Sequence, residues 1–302
     1  MLDRLFPASD DRKSTLSDQE KKELYVLAAC GQDSGIDKDC FTRLWKNWIH
    51  KILHPVSAFI VVDVQNDFIS GSLALINCPA KQEASAVVPV INKLLSDVKF
   101  NTVAVTKDWH PPNHCSFFDN LSLRKLGSSC KPAAEVQLFD TVTFDDKYKC
   151  QQKMWPRHCV QGSWGAELHR GLTVPNDAVI INKGINPDLD SYSGFWDNEK
   201  VSQTPLAEKL QEKGVTHVFV CGIAWDVCVG HTAQDSLDFG FSTALVADAL
   251  KSVDLDETKA MSDSLCRKGA VIIDSSQVKN MVLGLDRRPE MAIAAMRNMK
   301  LK

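Results

Sequence analysis

Short apolar runs alternating with helical segments dominate the chain between residues 57 and 274. Residues 58–62 close on Asp63, residues 102–106 on Lys107 and Asp108, and residues 178–181 on Asn182, Lys183 and Gly184. Residues 217–220 close on Cys221 and Gly222, and residues 243–247 and 270–273 complete the set. Helical spacing fills the gaps at 80–97, 206–213, 227–239 and 256–268, with Gly214 and Gly240 as stops. Strands this uniformly apolar need cover on both faces, and strand–helix alternation pairs them in parallel. The expected fold is therefore α/β: a doubly wound, mostly parallel six-stranded sheet. Residues 111–162 interrupt the alternation, and so long an irregular insert usually forms a lid or binding loop.

The first 56 residues have a different texture. Ser17, Asp18 and Glu20 offer capping groups ahead of Leu24, Leu27 and Ala28, which recur at helical spacing. Phe41, Leu44, Trp45, Trp48 and Ile49 form a second stripe, which His54 and Pro55 should end. A length of 302 residues fits about two domains, and the texture divides them at 1–56 and 57–302.

Composition narrows the function classes. Hydrophobic residues at 44% and charged residues at 24% describe an ordinary globular chain. Thirty-five Lys and Arg against 38 Asp and Glu leave a net charge of −3, with no basic excess to hold a nucleic-acid backbone. No apolar run approaches the ~18 residues of a spanning helix, so no membrane partner is expected. Residues 1–13 are polar with no apolar signal core, so a cytoplasmic location is expected. The ten cysteines contain no C-x-x-C pair, which favours free thiols over a disulfide framework.

In open α/β sheets, ligands bind beyond the carboxyl ends of the strands. Asp63, Asp108 with His110, Lys183 and Cys228 all fall at or just past such ends. Each has a plainer reading taken singly. Asp63 can be a turn residue, Lys183 a solvated turn lysine, Cys228 a packed helix residue, and His158 a hydrogen-bonded structural histidine. Their co-occurrence on one edge is what those readings leave unaccounted for. A cysteine at a helix start is drawn toward the thiolate by backbone N–H groups and a nearby lysine. A carboxylate can take the thiol proton and return it to a leaving group, while N–H groups hold an oxyanion. That set suits acyl transfer through a thioester. Asp108 and His110, one residue apart, can both face one metal ion, with His158 returning from the insert as a third ligand. An Asp-x-His pair alone is a weak signal. His114 is a further neighbour, in or just behind such a shell or else a loop histidine.

Six segments taken together resemble one family. They are residues 61–68 (VVDVQNDF), 108–111 (DWHP), 155–159 (WPRHC), 182–184 (NKG), 192–195 (YSGF) and 222–229 (GIAWDVCV). In this order, across residues 57–280, they resemble the nicotinamidases (pyrazinamidases) of the isochorismatase-like cysteine hydrolases. The resemblance implies a catalytic triad of Asp63, Lys183 and Cys228. It implies one divalent ion on Asp108, His110 and His158: zinc first, with iron or manganese as alternatives. Phe68 and Trp155 would flank a substrate ring, with Tyr192 nearby. A cis peptide before Ala224 would aim the N–H groups of Ala224 and Cys228 at an oxyanion. The implied reaction is hydrolysis of nicotinamide to nicotinate and ammonia, in NAD salvage, with the water activated by Asp63 or by the metal. Two rival readings are a related amidase acting on another small planar amide and a regulatory binding protein on the same fold.

The N-terminal segment departs from the compact family pattern and resembles half an EF-hand. With Ile36 at loop position 8, only Asp33 and Asp37 supply carboxylates, and Cys40 stands where a bidentate glutamate is needed. Calcium binding is therefore not expected. Leu24, Leu27, Phe41, Leu44, Trp45 and Trp48 exceed what one helix pair buries by itself. They should dock on the hydrolase domain or on a second subunit of a homo-oligomer.

Overall fold

The computed structural model describes residues 5–6, 16–29 and 36–299. Six parallel strands form one sheet: β1 (Ser57–Val62), β2 (Thr102–Asp108), β5 (Val179–Lys183), β6 (His217–Ile223), β7 (Ser242–Lys251) and β8 (Val271–Ile273). Their order is β5-β2-β1-β6-β7-β8, so the chain winds outward from β1 in both directions. All six residues of β1 are buried, as the uninterrupted apolar run requires of a strand covered on both faces. Phe59 stacks on Phe100 at 4.6 Å, and Phe219 of the neighbouring strand packs against the same ring. The insert carries two 3-10 turns, Phe118–Leu123 and Ala133–Glu135, and a small antiparallel hairpin, β3 (Thr141–Thr143) and β4 (Gln151–Lys153), over its own apolar cluster. No described helix is long and apolar enough to cross a membrane.

Two elements differ from the sequence reading. The helix read over 80–97 begins only at Val87, after a 3-10 turn at Ala84–Ala86. Residues 80–82 are tied instead to the loop after β7, through Ala80 N–H to Val253 O and Ser252 N–H to Gln82 Oε1. The helix read over 227–239 starts as a π turn, Trp225–Val229, and becomes α-helical at Gly230–Asp238.

The N-terminal helices follow their sequence signals. Ser17 and Glu20 form a reciprocal capping box on Asp18–Ala28. Asp37, read above as a loop carboxylate, caps the helix Lys38–Leu44 by accepting the Cys40 N–H. The rest of that loop, 30–35, lies outside the described residues. Past Leu44 the helix continues through a π turn, Trp45–Ile49, and ends at His50–Leu53, just before His54 and Pro55. Its apolar face packs on a second helix. Leu24, Leu44, Trp48 and Ile52 pack against Ala292, Ile293 and Met296 of the helix Pro289–Asn298. Trp48 Nε1 donates to Ala292 O at 2.8 Å, and Arg297 forms a two-pronged pair with Glu23. Phe41 and Trp45 stay on the surface. This helical module sits at the amino-terminal end of the sheet, where a cavity is shared by Trp48, Ile52, His217 and Ser242.

Candidate active site

The switch point of the sheet lies at β1, where its neighbours β2 and β6 diverge. There the structure brings Asp63, Lys183 and Cys228 together from three strand ends. Asp63 follows β1 in a left-handed conformation, φ 50°. Its Oδ1 accepts the Thr106 hydroxyl at 2.6 Å, and its Oδ2 lies 2.9 Å from Lys183 Nζ. Lys183 ends β5, is 1% exposed, and donates to Asp108 Oδ1 at 2.5 Å, Ser191 O at 2.9 Å and Cys228 Sγ at 3.3 Å.

Cys228 is held by the turn after β6. Gly222 lets β6 run against β1 there: at φ 117°, a Cβ would stand 2.1 Å from Val62 O. The Ile223–Ala224 peptide is cis, as the resemblance implies. Asp226 accepts the N–H groups of Val253 and Asp254, tying the turn to the loop after β7.

Charge balance decides the resting protonation states. Burial opposes the Lys183 charge, but Asp108 and Asp63 outweigh it and hold the ammonium well above its usual range. Burial also works against the Asp108 carboxylate, yet Lys183 and His110 keep it well below the usual carboxylate range. Asp63 is raised, because burial exceeds the pull of Lys183. Cys228 departs from the expected thiolate. Burial pushes its thiol well above the ordinary value, and Lys183 only partly offsets this. A resting thiol needs a base. Asp63 Oδ2 is buried and accepts no hydrogen bond, and a carboxylate oxygen of Asp63 lies within 4.8 Å of Cys228 Sγ.

Beside this trio stand Asp108, His110 and His158, all buried, with ligand atoms within 4.8 Å of one another. His110 Nδ1 lies 2.9 Å from Gly184 O, and His158 Nδ1 lies 2.7 Å from Pro156 O. A carbonyl only accepts, so each Nδ1 carries a proton and each Nε2 is the nitrogen left to face an ion. Those Nε2 atoms point to Asp108 Oδ2, at 3.6 and 3.8 Å. Two imidazole nitrogens of fixed orientation and a carboxylate fit a divalent ion with open positions for water or substrate. His114 stands behind them. It stacks on His110 at 4.1 Å, with Nδ1 on Ser116 Oγ and Nε2 facing Leu189 O, so both its nitrogens are engaged.

A narrow cleft opens onto both groups. Phe68, Trp155, Tyr192 and Ala224 all line it with Cys228, Asp108 and His158. Trp155 Nε1 donates to the Tyr192 hydroxyl at 3.2 Å, which fixes the two rings edge to face. Leu73, Leu75, Asp190, Val227 and Val253 also line the cleft and were missed from sequence. Val227 could have been found as the neighbour of Cys228; the others arrive on loops without a pattern. A larger apolar cleft, about 680 Å³, lies among the N-terminal helices and shares no residue with this site.

Residues 57–277 match the model of the isochorismatase domain, so the chain belongs to the isochorismatase family. Within it, the chain is similar to the nicotinamidase of Acinetobacter baylyi: 40% identical over 200 residues, 66% of this chain and 83% of that one. Among solved structures, it resembles PnC1 from L. infantum in complex with nicotinate, at 34% identity and TM-score 0.58, covering 74% and 94% of the two chains. The pyrazinamidase of Pyrococcus horikoshii in complex with zinc is 32% identical with TM-score 0.55, covering 73% and 99%. The N-terminal helices and the helix Pro289–Asn298 fall outside the family match.

Proposed function

We infer that this chain is an amidohydrolase that converts nicotinamide to nicotinate and ammonia through a thioester on Cys228. The observation that carries the reading is one buried constellation: a thiol, an ammonium and a carboxylate at the mouth of an aromatic-lined cleft whose other wall is the Asp108, His110 and His158 set. The nicotinamidase relatives and the nicotinate-bound neighbour support the substrate.

Phe68 and Trp155 sandwich the pyridine ring, and Tyr192 braces Trp155. Asp63 Oδ2 accepts the Cys228 proton as Sγ attacks the carboxamide carbon. Lys183 keeps the adjacent negative charges tolerable in a buried site. The N–H groups of Ala224 and Cys228 receive the oxyanion. Collapse expels ammonia, which leaves with the proton held by Asp63. Water then enters, loses a proton to Asp63, and cleaves the thioester to nicotinate and the free thiol. Asp108, His110 and His158 would hold one divalent ion; two imidazoles and a carboxylate suit zinc, iron or manganese, and the zinc-bound neighbour favours zinc. When bound, that ion offers the pyridine nitrogen an electrophilic anchor. A cytoplasmic setting belongs to the same reading: all nine cysteines among the described residues are free thiols.

Ammonia release from nicotinamide by the purified chain, with and without a chelator, tests the reading. Release that chelation suppresses and zinc restores is the expected result. Release from unrelated planar amides but not from nicotinamide would transfer the chain to a different amidase specificity.

A further inference from the structure

The segment just after Asp63 has more polar groups buried than the chemistry above uses. Gln65 is fully buried, and Asn66 and Asp67 nearly so. What they bond to forms a pattern.

β1 and β2 pair in register as far as Val62 and Thr106, and the last rung is Asp63 N–H to Thr106 O at 3.2 Å. The left-handed turn at Asp63 then takes the chain off the sheet. β2 continues for two more residues, still paired to β5 through Asp108 and Lys183. With a strand period of two, Asp108 presents its N–H and C=O to the same side as Thr106, where β1 has now left. The Gln65 side chain fills that place. Its Oε1 accepts the Asp108 N–H at 2.8 Å, and its Nε2 donates to Asp108 O at 2.8 Å and Ala166 O at 2.9 Å. One side-chain amide thus supplies both missing rungs of the ladder.

Asp67 does the equivalent for the insert. Its Oδ2 accepts the Cys159 N–H at 2.7 Å, next to His158, and Cys159 is itself left-handed at φ 46°. Its Oδ1 accepts the Ser72 N–H at 3.0 Å. Room for this carboxylate is reserved: a Cβ on Gly165 would lie 1.9 Å from Oδ2. Asn66, between them, donates its side chain to Trp164 O and its backbone N–H to Glu167 O, and hydrogen-bonds none of Asp108, His110 and His158.

We propose that Gln65 and Asp67 are positioning residues for the metal centre, each fixing the backbone of one ligand, Asp108 or His158, relative to Asp63. This rests on the reading of Asp108, His110 and His158 as a metal site. It accounts for two of the three polar side chains buried in the four residues after Asp63. The base and two ligands are then set by one short piece of backbone.

Zinc affinity is the readout, measured by competition with a chromophoric chelator on Gln65→Met, Asp67→Asn and the control Asn66→Ala. The melting temperature of each zinc-free protein is measured alongside. Gln65→Met leaves both Asp108 backbone groups unpaired, and Asp67→Asn turns an amide N–H toward one backbone donor. Zinc affinity is expected to fall about 10–100-fold in these two, the range for lost outer partners of metal ligands. Asn66→Ala is expected to melt lower but to keep wild-type affinity. Either test variant decides alone, so failure of one to fold leaves the experiment standing. Wild-type affinity in a folded Gln65→Met or Asp67→Asn, or an equal loss in Asn66→Ala, overturns the proposal. A wild type that binds no divalent ion overturns the metal reading, and this inference with it.

Discussion

Replacing Lys183 by methionine tests the electrostatic core of the site. The ammonium is 1% exposed and lies between two buried carboxylates, 2.9 Å from Asp63 Oδ2 and 2.5 Å from Asp108 Oδ1. Methionine keeps most of the volume and removes the charge. Deleting one partner of a buried ion pair costs about 3–5 kcal/mol, because the remaining charge is left uncompensated. Here two carboxylates lose the same partner. Asp63, already raised by burial, responds by taking up a proton, which limits the cost but also removes the base. In the zinc-free protein we expect the melting temperature to drop on the order of 10 °C. Zinc should recover more of that loss than it adds to the wild type, because an ion on Asp108 replaces part of the missing charge. Turnover should fall by roughly 10²–10³-fold even where the variant is folded. Differential scanning fluorimetry with and without zinc, beside an ammonia assay, reads all three. A Lys183→Met enzyme as stable as wild type and still fully active would refute the charge balance described here.

Other consequences are open to direct measurement. His158→Ala should lose the stoichiometric metal seen by elemental analysis and raise KM for nicotinamide by about tenfold or more. Trp48→Ala removes a buried indole and its bond to Ala292 O, and should lower the unfolding free energy by roughly 3–5 kcal/mol without changing kcat, since the module sits at the other end of the sheet; a chain starting at Ser57 should be less stable and less soluble still. His217 is held neutral by burial down to about pH 4, against an ordinary value of 6.5. Its contribution to stability is complete above pH 6.5 and is lost as the pH falls toward 4, because the unfolded chain takes the proton first. His217→Gln should flatten that part of the stability–pH curve relative to wild type.

Much of the site was legible because of how parallel sheets are built. Apolar runs mark the strands, and the polar residue that closes each run is carried to one edge, so Asp63, Asp108 and Lys183 could be placed on a common edge from sequence. What sequence missed depends on contacts between distant segments. The helix start moved from residue 80 to Val87 because the loop after β7 claims the intervening backbone. The N-terminal stripe announced that it must be covered, but its cover is a helix about 240 residues away that carries no matching motif. The place of Cys228 at a helix start beside a lysine favours the thiolate; burial among two carboxylates reverses the balance, and burial is not visible in a list of residues. Histidine orientations are equally hidden, since the backbone carbonyls of Gly184 and Pro156 set them, and every residue type carries that group.

The account stands or falls on Cys228 as the atom that attacks the amide. Ammonia and nicotinate should be quantified from nicotinamide incubated with zinc-loaded wild type and with Cys228→Ala of verified fold. The mechanism predicts steady release by the wild type and none above the uncatalysed background from Cys228→Ala. Substantial release by Cys228→Ala would contradict it, and would assign the hydrolysis to water acting without a thioester.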